Sequence, residues 1–261
     1  MPKAKPENIL TRSEKLITLG KQEDALKVLH DYVMRPQFAL WVPQVHDKII
    51  SRMLQLGVKL CDSSSIVSGL FQLKSATQHF LSSFETAVKD LFTLMEEDSA
   101  KAYSEVEALL AEAQKRGATA ESERRAAEEQ PNKAAEFIMG SVSRDEEKER
   151  VHSERVLPHF RFFADVMRGV LDVCKFNTRL LAMYEEAARR AFAFCRRYHR
   201  AEEYRMVSTS LRVHLMSVVE ADPERMRAQW LDLGSRDTIE VLLRIRFDQF
   251  RTAMELGLVV D

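Results

Sequence analysis

Apolar residues recur along this chain at helical spacing from the first dozen positions onward. Ile9, Leu16 and Leu19 predict a first helix that ends at Gly20, and Ala25, Leu26, Leu29, Val33 and Met34 predict a second that closes before Pro36. Pro43 is suited to open a third helix, since the N–H it lacks would have no intrahelical acceptor there. The apolar positions of that helix are Val45, Ile49, Met53, Leu56 and Leu60. Asp62 and Ser63 to Ser65 supply side-chain oxygens for the first N–H groups of a fourth helix, which carries Ile66, Leu70, Phe71 and Leu73. Short helices joined by short turns and paired antiparallel predict an all-α protein, an α-solenoid of TPR/HEAT-like helix pairs. No strict tetratricopeptide consensus repeats, so the prediction rests on rhythm, and a compact bundle is the competing architecture.

The middle of the chain has a different texture. Phe84, Val88, Leu91, Met95, Ala102, Val106, Leu109 and Ala113 hold one narrow seam, with no Gly or Pro between residue 83 and Gly117. A continuous helix over residues 83–115 would be about 50 Å long at 1.5 Å per residue. It reads either as a long core helix of the stack or as a projecting coiled-coil arm. Residues 117–133 are charged and small and read as an exposed linker or a solvated helix. The island Phe137-Ile138-Met139 follows as a segment suited to dock on a neighbour. Regular helices resume at Val156, and Phe160, Phe163, Val166, Met167, Val170, Leu171 and Cys174 form the next buried face. The organisation expected is helical repeats over 1–116, a charged insert over 117–150, and further repeats over 151–261.

Charge sharpens this division. The chain has 39 Lys+Arg against 40 Asp+Glu, nearly neutral overall, yet residues 96–150 carry a net charge of −6 and residues 175–214 a net of +5. On one helical wheel at about 100° per residue, Arg189, Arg190, Arg196, Arg197 and Arg200 fall within an arc of about 120°. Leu181, Tyr184, Ala188, Ala191, Phe192 and Cys195 fall on the opposite side. Such a helix buries one wall and offers a guanidinium strip on the other, with Arg205 and Arg212 further along. Tyr198, His199 and Tyr204 lie among these arginines, which suits phosphate and stacking contacts to RNA or contacts to an acidic partner. The plainer reading is a solvated face neutralised by Glu185, Glu186, Glu202 and Glu203.

Composition excludes several classes. Gly and Pro number 8 and 7 in 261 residues, about half the usual share, which argues against turn-rich β folds and glycine-rich nucleotide folds. No apolar run approaches a membrane span, so no membrane partner is expected. Cys61, Cys174 and Cys195 are few and scattered, which suits buried small hydrophobes in a reducing, cytoplasmic compartment. No phosphate loop, dinucleotide fingerprint or zinc-ligand spacing occurs, so no cofactor, metal or catalytic residue is expected and the chain reads as a non-enzyme.

Specific residues also carry a resemblance. The run from Ala191 to Arg205, AFAFCRRYHRAEEYR, and the continuation Leu211-Arg212-Val213-His214-Leu215 are similar to a signature of the a-subunit family of eukaryotic translation initiation factor 3. Pro6-Glu7-Asn8-Ile9-Leu10, Gly20-Lys21, Ala25 to Leu29, Trp41, His46 and Gly69 to Lys74 match that family in order and spacing. The resemblance implies a helical-repeat arm leading towards a PCI module, in a longer chain than these 261 residues. It implies a non-catalytic scaffold that docks the factor on the small ribosomal subunit near the mRNA exit and supports mRNA recruitment. The partners implied are other subunits of the factor, subunit c especially, with ribosomal proteins, rRNA and mRNA. Two surfaces are the candidates for these contacts. One is the strip Arg189, Arg190, Arg196, Arg197, Arg200, Arg205 and Arg212; the other is the N-terminal set Lys3, Lys5, Arg12, Lys15, Lys21 and Lys27. A scaffold of a proteasome-lid or signalosome complex is the alternative reading, because PCI-type helical repeats look alike outside their motifs.

Overall fold

The computed structural model describes residues 6–39, 43–77, 81–127, 149–220, 231 and 233–258. Lys3, Lys5, Trp41 and the island Phe137-Ile138-Met139 lie outside the described residues. Among the described residues the regular structure is helical, with no strand. The architecture is an α-solenoid of helix pairs, as the hydrophobic rhythm predicts.

Two compact units divide the chain, the first formed by Met1–Phe92 with Phe162–Asp261 and the second by Thr93–Arg161. In the first, α1 (Pro6–Thr18) and α2 (Gln22–Val33) form one pair, and α3 (Pro43–Lys59) and α4 (Ser63–Ala76) the next. Each pair closes on a three-residue turn, and the predicted stops act as the local chemistry requires. Gly20 takes φ +78°, a left-handed conformation open to glycine at no steric cost. Asp62 caps α4, its side chain accepting a 3.0 Å hydrogen bond from the Ser65 N–H. The buried faces are Ala25, Leu26, Leu29, Tyr32 and Val33 on α2, and Ile66, Gly69, Leu70 and Leu73 on α4. Cys61 departs from the expectation of a buried helical residue. It is half-buried and sits in the α3–α4 turn at φ +52°.

Later elements of this unit are the start of α5 (Leu81–Ala127), most of α7 (Leu157–Cys174), α8 (Leu181–Arg197), α9 (Ala201–Val219) and α10 (Arg236–Glu255). A short 3-10 turn, Thr178–Leu180, leads into α8. Phe163 stacks on Phe194 at 4.0 Å between ring centroids, which joins α7 to α8. Helices α4 and α7 approach so closely at Gly169 that an added Cβ would overlap the Val67 methyls. Alanine at 169 gains roughly 1 kcal/mol of helix propensity but overpacks a filled contact at about 1–3 kcal/mol. A net destabilisation of about 1 kcal/mol is therefore expected for Gly169→Ala, read from urea unfolding.

The second unit contains the remainder of α5, a helical run α6 over residues 149–155, and the first residues of α7. Tyr103 stacks on Phe160 at 6.3 Å and meets His152 edge-on, and His159 Nδ1 lies 2.6 Å from an Asp98 carboxylate oxygen. Helix α5 is longer than the 83–115 expected, running 47 residues through Gly117 to Ala127. Its Ala, Glu, Arg and Lys residues are strong helix formers, so a single glycine costing about 1 kcal/mol does not stop it. Within the predicted seam Val106 is buried, whereas Leu109 is exposed.

Candidate partner-binding surface

The arginine strip is built on two helices, not one. Helix α8 ends at Arg197, and His199 at φ +52° reverses the chain, so Arg200 becomes the N-cap residue of α9. The single wheel that placed Arg200 with Arg196 therefore holds only as far as Arg197. Amphipathic periodicity predicts faces within a helix, but a left-handed turn made by a histidine leaves no such pattern.

Within α8 the arginines differ in their commitments. Arg196 donates to Asp248 Oδ1 at 2.8 Å and to Thr252 Oγ1 at 2.6 Å, which ties α8 to α10. Arg190 donates to Glu186 Oε1 at 2.6 Å and lies over the Phe92 ring, 5.3 Å from its centroid. Arg189 donates to the same carboxylate through Nε at 3.0 Å but remains largely exposed. Burial works against the charge on Glu186, yet the hydrogen bonds and charges of Arg189 and Arg190 outweigh it and hold this carboxyl below its ordinary pKa. Arg197 is exposed and rests beside the Tyr198 ring at 5.5 Å.

On α9 the contrast is sharper. Arg200 makes a bidentate pair with Glu203, at 2.9 and 2.8 Å, and Glu203 is only 2% exposed. Arg205 and Arg212 point outward on the same helix, and neither has an acidic partner among the described residues. They share their exposed face with Met206, Val213 and Met216. Of the N-terminal set, Arg12 and Lys15 are exposed on α1, Lys21 is exposed at the start of α2, and Lys27 is exposed on α2. Lys27 also edges a groove whose other walls include Glu23, His30 and Asp62. The candidates that stay exposed are thus Arg189, Arg197, Arg205 and Arg212 on α8 and α9, and Arg12, Lys15, Lys21 and Lys27 on α1 and α2, where Glu7, Glu14, Glu23, Asp24 and Asp31 lie among the basic residues.

Sequence reasoning missed a buried polar group behind the basic face. His214, 6% exposed, lies 3.0 Å from Asp172 Oδ1 through Nε2 and 3.2 Å from the Tyr184 hydroxyl through Nδ1. Because the carboxylate can only accept, Nε2 carries the hydrogen and Nδ1 accepts from the Tyr184 O–H. Lys175 adds a 2.7 Å hydrogen bond to the same Asp172 oxygen. The group pins α7, α8 and α9 together. Burial lowers the pKa of His214, partly opposed by the Asp172 hydrogen bond and charge, and burial raises that of Tyr184. The spacing of Leu211, His214 and Val218 on one apolar stripe was the available signal. Burial likewise pushes the thiols of Cys174 and Cys195 up to about 12, which makes both unreactive. No described helix is long and apolar enough to cross a membrane.

Comparison with known proteins gives this helical array a family. A family model described as eIF3a, PCI domain, TPR-like region, matches residues 7–260. The a-subunit of eukaryotic translation initiation factor 3 from Nicotiana tabacum is 32% identical over 256 residues, covering 98% of this chain and 25% of its own length. The Arabidopsis thaliana protein of the same name is also 32% identical, covering 98% of this chain and 24% of its own. That of Yarrowia lipolytica is 30% identical over 257 residues, covering 97% and 26%. A de novo designed helical repeat protein aligns over 97% of this chain at 15% identity with a TM-score of 0.31. The chain spans about a quarter of the length of the curated relatives it matches. Over nearly all of its residues, then, the chain belongs to the a-subunit family of eukaryotic translation initiation factor 3.

Proposed function

We propose that this chain is a non-catalytic, cytoplasmic scaffold portion of translation initiation factor 3 that helps dock the factor on the small ribosomal subunit near the mRNA exit and supports mRNA recruitment. The observation that carries the reading is the family match across residues 7–260. In this reading the helix pairs are a rigid frame, and partner contacts belong to side chains that the frame leaves exposed. Arg189, Arg197, Arg205 and Arg212 meet rRNA, mRNA or an acidic protein surface, while Arg190, Arg196 and Arg200 hold the helices that present them. Subunit c and other subunits of the factor are the protein partners of the same scaffold. Helices without a base-reading groove element contact phosphates in the main, so such binding carries little sequence preference.

The test is co-sedimentation with purified small ribosomal subunits over a range of salt. Binding by the unmodified chain is expected to weaken steeply as salt rises, because each neutralised phosphate releases a counterion. Arg205→Gln with Arg212→Gln is expected to reduce the log–log salt slope by about 2, roughly one per phosphate contact. Unchanged affinity and slope in that variant would overturn the assignment to α9. A parallel variant with Gln at Arg12, Lys15, Lys21 and Lys27 locates the contact on the N-terminal pair if it alone loses binding.

A further inference from the structure

Helix α9 turns apolar side chains both inward and outward. Tyr204, Val207, Leu211, His214 and Val218 are buried in the unit. On the other side Met206, Val213 and Met216 are 38%, 54% and 50% exposed. With the exposed Thr209 between them they stand at i, i+3, i+7 and i+10. At about 100° per residue these four side chains fall within about 80° of one another, a stripe about 15 Å long. Alternating steps of three and four residues are the spacing with which one helix receives another. Glu202 and Glu220 mark the two ends of the stripe.

Charge at the edges of the stripe indicates what covers it. Arg205 and Arg212 run along one edge, seven residues apart and so on nearly one line of the helix. No ion pair among the described residues holds either of them. The other edge is neutral: the Ser210 and Ser217 hydroxyls donate to the Met206 and Val213 carbonyls one turn back. Arg168 of α7 reaches Ser210 there, but its charge is met by Asp165 at 3.4 Å. The surface is thus aliphatic, with a single basic rail.

We propose that the outer face of α9 seats a short amphipathic helix of a partner protein. Its apolar residues lie on Met206, Val213 and Met216, and its Asp or Glu residues pair with Arg205 and Arg212. Methionine adapts its shape to an apolar partner, and Met and Arg are enriched where proteins meet. RNA fits this face less well, because bases stack on flat rings and phosphates gain nothing from aliphatic side chains. A second copy fits no better. Laid antiparallel with Met206 on Met216 it would bring Glu202 against Glu220, and laid parallel it would bring arginine against arginine. The proposal rests on the reading of Arg205 and Arg212 as partner-facing and narrows their partner to an acidic helix. Salt screens ion pairs with carboxylates as it does contacts to phosphate, so the apolar residues are what separate the two.

A photo-cross-linker on the stripe reads its occupant. Val213→Cys is combined with Cys61→Ser, so that a benzophenone maleimide finds one exposed thiol while Cys174 and Cys195 stay buried. The labelled protein is irradiated in the assembled initiation factor, alone and bound to small ribosomal subunits, and the attached segment is sequenced by mass spectrometry. The expected product is a protein segment with apolar residues three and four apart and acidic residues along one edge. Arg205→Glu with Arg212→Glu is expected to cut its yield about tenfold or more, because like charges then face each other. Replacing the segment's acidic residues by Arg is expected to restore it, and Met206→Gln with Met216→Gln to reduce it as well. Absence of a cross-link in both assemblies would overturn the proposal, as would attachment to RNA, to a second copy, to a later part of the same chain or to a segment without acidic residues. A yield indifferent to charge reversal would do the same. Attachment to RNA, with co-sedimentation lost in the Arg205→Gln, Arg212→Gln chain, would overturn the helix and leave ribosome docking in place. An acidic helix found there with co-sedimentation unchanged would do the reverse.

Discussion

Replacing Arg200 by alanine is expected to lower the stability of this chain by about 3 kcal/mol, the low end of the range for breaking a buried ion pair by removing one partner. Arg200 keeps some solvent contact, and this is why the low end applies. Glu203 has almost none, being 2% exposed, and both of its oxygens accept from this one guanidinium. Without Arg200 the carboxylate must either remain charged in an apolar setting or take up a proton, and both are costly. Arg200→Lys recovers only part of the loss, because an ammonium cannot donate two parallel hydrogen bonds to one carboxylate. Arg212→Ala, on the same helix but exposed, should change stability by less than about 0.5 kcal/mol. Urea denaturation of the three variants separates a frame residue from a surface residue. Equal, small effects in all three would show that the Arg200–Glu203 pair does not hold the α8–α9 turn. The distinction matters for any charge-reversal study of this region, since loss of ribosome binding in an Arg200 variant would report unfolding as readily as a lost contact.

Removing His214 is expected to be similarly severe. His214→Ala deletes a buried ring and leaves the Tyr184 hydroxyl without its acceptor and Asp172 without one of its donors, at about 3 kcal/mol in total. Tyr184→Phe removes a single hydrogen bond and should cost about 1 kcal/mol. The pH dependence distinguishes this histidine from a merely well-packed residue. Its folded pKa lies below the ordinary 6.5 because burial disfavours the imidazolium. Below about pH 6.5 the unfolded chain therefore binds a proton that the folded chain resists, and the folded state loses stability as pH falls. The fall continues until pH reaches the lowered folded value and then levels off. Asp172 has its own pKa lowered from 3.8, so its contribution is lost only at more acidic pH, in a separate window. Unfolding free energies of the parent and His214→Ala chains at about pH 8 and about pH 5.5 should differ more at the higher pH. A constant difference across that range would mean that the folded imidazole protonates as readily as the unfolded one.

Much of the fold was legible in local pattern. The stops at Gly20 and Pro36, the start at Pro43 and the Asp62 cap act on the backbone within one or two turns of helix, so their residue types announce them. The long helix was legible in kind but not in extent, because its strong helix formers carry it on past Gly117. The basic strip was legible as composition only. A helical wheel orders side chains around one axis, and it carries no information about Asp248 and Thr252, which are more than fifty residues away from the Arg196 they bind. The same limit hid the grouping of Asp172, Tyr184 and His214, one residue from each of three helices.

The sequence by itself determined that the chain is helical, where its first two pairs turn, and which family signature it carries. Each of these depends on interactions between residues close along the chain, or on the literal order of residues. Only the tertiary structure decided which arginines are tied into the frame and which stay exposed. Arg196 is drawn inward because α10 brings Asp248 to it at low solvent exposure, and Arg200 because packing buries its i+3 neighbour Glu203, where an unpaired charge would be costly. Arg205 and Arg212 stay exposed on α9, and no ion pair among the described residues holds either of them.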